Sequence, residues 1–154
     1  MSKVARAATV GSKQRVETLT ANKTILKDET GELYLIDHNA ASTLAVTLPS
    51  VRSGAYFKFL VITDMTDNTA AFSISTADGA GTLKGVCTAW EDSDFSGAKS
   101  ELDSSSTTLT IGSNAEAVLR GSNVECYSDG TNWYLIGQVV RTAGGSPGDA
   151  VAWS

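Results

Sequence analysis

Several groups of residues have the types and spacing that chemistry uses. In Asp92-Ser93-Asp94-Phe95-Ser96-Gly97, followed by Asp103, oxygen ligands fall at positions one, three and five, glycine at six and a carboxylate at twelve, the order of a calcium loop. Asp103 is shorter than the usual bidentate glutamate, Lys99 occupies a position that is usually apolar, and no amphipathic helix flanks the stretch. An acidic surface loop explains it as well. Gly79, Gly81 and Gly85 resemble a nucleotide-binding run, but the last gap is one residue too long and no helix follows to meet a phosphate. Turn glycines are the simpler reading. His38 is the only histidine, so one chain cannot build a multi-histidine metal site. Asp37 precedes it, but neighbours on a strand point to opposite faces, which keeps the two from pairing as an acid–base couple. Asn22-Lys23-Thr24 matches a glycosylation sequon, relevant only in a secretory pathway. Trp90, Trp133 and Tyr134 are candidates for a sugar-stacking platform, although Trp133 also fits a core position. Nothing forms a nucleophile–base set, and no two carboxylates are spaced to face each other across a cleft. The expectation is no enzyme, no cofactor and no metal.

The elements that carry these residues read as strands. Val124 to Ser128 and Thr131 to Gly137 flank Asp129-Gly130, a dipeptide suited to a two-residue hairpin because both central positions need φ > 0. Centred there, the hairpin would set Cys126 opposite Trp133, Val124 opposite Leu135 and Glu125 opposite Tyr134. One face would then be apolar and the other more polar. Thr43–Leu48 and Ala71–Thr76 alternate cleanly, turning Leu44, Val46, Leu48, Phe72 and Ile74 inward. Pro49 stops the first of these strands. Shorter strands are expected at Val16–Thr20, Thr24–Lys27, Leu33–His38, Thr82–Cys87, Thr107–Ile111 and Val118–Arg120. Ala55–Thr63 is apolar enough to be a central strand covered on both faces. Residues 88–106 read as an irregular insertion with room for one short helix.

Composition agrees with this reading. The 154 residues suffice for one domain with its own core, and charged residues make up only 19% of them. With a net charge of −5, the domain is not expected to bind nucleic acid nonspecifically. No apolar run is long enough for a membrane span, and the N-terminus lacks the apolar middle of a secretion signal. Cys87 and Cys126 lie in expected strands and read as buried free thiols of a reducing compartment rather than a disulfide. The fold class expected is all-β: a single antiparallel sandwich over residues 15–140, an extended arm at 1–14 and a flexible Gly-rich tail at 141–154. Lys3, Arg6, Lys13 and Arg15 are the only charges before Glu17, and all are positive. They suit an arm that docks on an acidic partner, or a plain unstructured terminus. Trp153 either anchors on a neighbouring chain or folds back on its own domain.

Leu44, Val46, Leu48-Pro49, Gly54, Phe57, Phe59 and Val61, then Gly121, Val124, Ser128 to Tyr134 and Gly137, give most of residues 15–140 a pattern that resembles small β-domains of tailed-phage virion proteins. It is most similar to head decoration (cement) proteins, with related modules in fibres. The resemblance implies a jelly-roll-like sandwich, often trimeric, whose termini grip the major capsid protein lattice on the outer surface of a virion assembled in the host cytoplasm. Lys3, Arg6, Lys13, Arg15 and Trp153 would then be the capsid-contacting residues. A carbohydrate- or receptor-binding fibre module is the alternative. The acidic insertion at 88–106 and the Trp-ended tail lie outside the resemblance.

Overall fold

The computed structural model describes residues 14–67, 69–77, 81–92, 97–100 (backbone), 106–112, 117–142 and 151–154. Among them there is no helix. Twelve strands form two sheets: β1 (Val16–Leu19), β2 (Lys23–Thr24), β3 (Leu33–Ile36), β4 (Thr43–Leu48), β5 (Tyr56–Val61), β6 (Ala71–Thr76), β7 (Leu83–Glu91), β8 (Gly97–Ser100), β9 (Thr108–Gly112), β10 (Asn123–Ser128), β11 (Trp133–Arg141) and β12 (Val151–Trp153). The seven-stranded sheet runs β1-β3-β5-β10-β11-β7-β8 and the five-stranded sheet β12-β9-β6-β4-β2. The all-β sandwich expected from alternation is what forms.

The pairing is mixed rather than wholly antiparallel. From β1 to β6 successive strands alternate between the two sheets, so β1, β3 and β5 lie parallel in one layer and β2, β4 and β6 parallel in the other. A parallel pair needs a long crossover, usually a helix. Here each crossover is a strand of the opposite layer. β11 and β7 are also parallel, over nine residue pairs from Trp133↔Leu83 to Arg141↔Glu91. A jelly roll has no such pairs, so the connectivity departs from the one the resemblance implied. Residue alternation fixes which face is buried but carries no information on strand direction.

The hairpin forms with its register moved by two residues. Cys126 faces Leu135, Glu125 faces Ile136 and Ser128 faces Trp133, leaving Asp129–Asn132 as a four-residue loop. A shift of two preserves the faces, whereas a shift of one would have inverted them. The longer loop follows from Asp129, whose Oδ1 accepts the N–H groups of Thr131 (2.7 Å) and Asn132 (2.8 Å), with Gly130 at φ 97°.

Other boundaries differ in informative ways. β7 runs on to Glu91 and pairs with β8, so 88–91 and 97–100 of the expected irregular insertion are strand, while 93–96 and 101–105 lie outside the described residues. The Thr24–Lys27 strand shrinks to Lys23–Thr24, and Val118 makes only isolated bridges to Met65 and Arg141. β5 is central in its sheet but buried on one face only, with Tyr56, Lys58 and Leu60 half-exposed. The tail is corrected where it is described: β11 continues through Arg141, and Val151–Trp153 pairs with β9. Ser154 O accepts the N–H groups of Thr107 and Thr108, both at 2.8 Å. β12 thereby covers backbone that β9 would otherwise expose.

The inner faces meet in one core. Phe59 of the seven-stranded sheet and Phe72 of the five-stranded sheet lie 5.5 Å apart, and Phe59 also stacks on Tyr34 at 5.4 Å. Trp133 is fully buried beside Phe57. Each such ring contributes roughly 1.5–3 kcal/mol by leaving water. Cys87 and Cys126 are buried free thiols, as the sequence suggested.

Candidate interaction face

The two outer faces of the sandwich have opposite character. On the five-stranded sheet, outward positions carry Thr43, Ala45 and Thr47 of β4, Ser73 and Ser75 of β6, and Thr108 and Thr110 of β9. That face is small and hydroxyl-rich. The seven-stranded sheet instead presents Val16 (55% exposed), Ile136 (56%), Tyr127, Tyr134 and Trp90, and Ile62 continues its outward row just past β5. Among the described residues only Leu26 is a large exposed hydrophobic group elsewhere. The hairpin's outer face is thus less polar than the alternation suggested.

Register places these side chains in rows. Tyr56, Tyr127, Tyr134 and Lys84 share one row across β5, β10, β11 and β7; Val16, Leu33, Lys58, Glu125, Ile136 and Val86 form the next. Lys58 Nζ donates to Glu125 Oε1 at 2.7 Å, and Tyr127 OH donates to Glu125 Oε2 at 2.6 Å. The hydrogen bonds from Lys58 and Tyr127 hold the Glu125 carboxyl below its ordinary range, while the same bond pushes the Tyr127 phenol up to about 12. Tyr134 OH donates to Asp129 Oδ2 at 3.0 Å. Tyr56 and Tyr127 pack with ring centroids 4.9 Å apart. The aromatic side chains are therefore held in place before any partner arrives.

The residues singled out from sequence fall in several places. Arg15 is exposed, its Nη2 donating to Asp28 O at 3.2 Å, while Lys3, Arg6 and Lys13 lie outside the described residues. Trp153 is partly buried against the core of its own domain, so it folds back rather than standing free as an anchor. Of the proposed sugar platform, Trp90 and Tyr134 share the outer face but Trp133 is in the core. Asp92 follows strand β7 rather than a helix, and most of the calcium-loop stretch lies outside the described residues. A Cβ on Gly85 would stand 1.8 Å from Leu135 O, so that glycine serves close strand approach, not phosphate binding. His38 is buried, with Nε2 bonded to Ser42 O at 2.8 Å, while Asp37 accepts from Thr63 OH. The pair does not couple. Asn22 Oδ1 accepts the Ala45 N–H.

Glu17, Glu29 and Glu32 converge on one spot, a carboxylate cluster that sequence spacing did not reveal. Lys23 fills it, its ammonium 2.9 Å from Glu17 and 2.8 Å from Glu29. The hydrogen bond to Glu29 leads in raising the Lys23 pKa. The lysine supplies the positive charge a metal would otherwise bring. An open cleft of about 390 Å3 lies nearby, lined by Thr20, Asn22, His38, Ser42 and Thr43. No acid–base or nucleophilic pair converges among those lining residues.

Tyr56, Tyr127 and Ile136 are the residues that sequence reading missed. Their outward parity was legible, but parity alone does not tell an exposed docking side chain from a merely half-buried one. No family model, curated protein or solved structure matches the chain.

Proposed function

We propose that the chain is a structural virion protein that decorates and stabilises a phage capsid by binding the major capsid protein lattice, as a trimer, on the outer surface of the particle. The observation that supports this most is the concentration of exposed large apolar side chains on one outer sheet face, opposite a face made of small hydroxylated residues. Exposed apolar side chains gathered on one face in this way often mark a site of interaction. The work done is mechanical: area buried between subunits raises the cost of opening the shell. The basic segment with Lys3, Arg6, Lys13 and Arg15 would grip acidic capsid surface, and three arms on one trimer act at high effective concentration.

Removal of residues 1–14 tests this reading. Arg15 O already accepts the Leu33 N–H at 2.9 Å, so the cut spares β1. The truncated protein should fold but no longer cosediment with undecorated heads. Binding equal to that of the full chain would refute the arm's role. A second reading, a receptor-binding fibre module that recognises glycans, draws on Trp90 and Tyr134 standing exposed on one face. It predicts glycan-array signals that disappear in Trp90→Ala or Tyr134→Ala.

A further inference from the structure

We infer that the outer face of the seven-stranded sheet, centred on Ile136, is the surface through which copies of this chain bind one another. The inference rests on the reading of the protein as a self-associating shell component and assigns that association to a place. Ile136 is the most exposed large hydrophobic residue of the central strands, with Val86 beside it on β7 and Tyr127 and Tyr134 in the next row. Trp90 stands further along β7 on the same face, and Val16 lies in the row of Ile136 beyond the Lys58–Glu125 pair.

Size, charge and ring packing each favour a second copy as the occupant. Six strands at about 4.8 Å spacing, taken over the length from Lys84 to Trp90, span about 24 by 20 Å, or about 500 Å2 in projection. That face, which includes Lys58, Glu125, Lys84 and Gln138 beside the apolar side chains, is of the order of one partner's share of a standard interface, about 800 Å2 of rougher accessible surface. The whole chain is net −5, so copies repel unless they meet at a neutral surface. This face comes close to that: Lys58 and Glu125 neutralise each other at 2.7 Å, which leaves the half-exposed Lys84 as the charge at its edge. A strongly charged partner would find little there beyond Lys84 to complement its field. Tyr56 and Tyr127 already pack on each other, tilted at 4.9 Å, which leaves Trp90 and Tyr134, three rows apart, as the rings a sugar could reach.

The test measures self-association of the full-length protein by sedimentation equilibrium, for wild type, Ile136→Lys and a control, Thr43→Lys, on the exposed end of β4. Lysine at 136 would stand opposite Glu125, a favourable cross-strand pair, so the variant should fold; near-ultraviolet circular dichroism checks this, and Val86→Lys provides an independent second lesion on the same face. The expected result is an oligomeric wild type and control, with association weakened at least tenfold in Ile136→Lys and in Val86→Lys. A monomeric wild type at high micromolar concentration, or an oligomer unchanged by both substitutions, overturns the assignment. Cosedimentation with heads is scored separately. Head binding that survives in a dissociated Ile136→Lys supports this face as the copy-to-copy surface, whereas an unchanged oligomer that no longer binds heads gives the face to the lattice and overturns the inference.

Discussion

Arg141 and Glu91 are direct partners across the parallel strands β11 and β7, and the guanidinium of Arg141 is fully buried. A cation in such a place is tolerable only with its partner present, because the desolvation cost is otherwise uncompensated. The bridge fastens the far end of the longest strand pair.

Removing one member should therefore cost far more than removing both. Glu91→Gln is expected to destabilise the fold by about 3 kcal/mol, while Glu91→Leu with Arg141→Met should recover most of the loss. Urea unfolding of the three proteins reports the difference. If Glu91→Gln proves as stable as wild type, the pair holds nothing together.

A second expectation concerns Gly137 and Cys87. A Cβ added at position 137 would sit 2.6 Å from Cys87 Sγ and 3.2 Å from Val124 Cγ2, in a core with no slack. Gly137→Ala should cost about 1–3 kcal/mol, and Cys87→Ala in the same chain should return part of it, a coupling that a double-mutant cycle measures. Burial pushes the Cys87 thiol up to about 12 and raises Cys126 as well. Ellman's reagent at pH 8 should find neither thiol in the native protein and both after unfolding. Rapid native labelling would contradict the packing described.

The acid limb of stability should carry the signature of Asp129. The N–H groups of Asn132 and Thr131, with the Tyr134 hydroxyl in support, hold its carboxyl below the ordinary 3.8. The folded state thus favours the charged form. Its contribution is complete above the unfolded value and fades as pH falls through the lower folded one. Thermal midpoints of wild type and Asp129→Ala should differ by a constant amount above about pH 5 and converge as the pH drops toward 2. A gap that stays constant to low pH would mean that the loop does not depend on the charge.

Much of this fold was legible because the chain alternates so regularly. Thr43–Leu48 and Ala71–Thr76 were bounded correctly to the residue, and the inward set Leu44, Val46, Leu48, Phe72 and Ile74 is the core that forms. Strand direction was not legible, since a period of two is the same whether neighbours run parallel or antiparallel. Arg141 was assigned to the tail because an arginine at a core position looks like the end of a strand until its partner fifty residues earlier is known. The carboxylates around Lys23 come from strands and turns that meet only after folding. The outer face was hidden for another reason. Outward apolar residues such as Ile136 break the polar half of the alternation singly in sequence, and only the register gathers them into rows.

The winding of β1 to β6 bears on how the protein is made. Each strand crosses to the opposite layer before the next arrives, so a nascent chain of some sixty residues from Val16 already holds parts of both layers, with Leu19 and Ile36 on one side and Val46 and Ile74 on the other. An incomplete polypeptide on the ribosome can thus bring two layers together and shelter the apolar groups between them, with the edges of β5 and β6 left to be covered when β10 and β9 arrive.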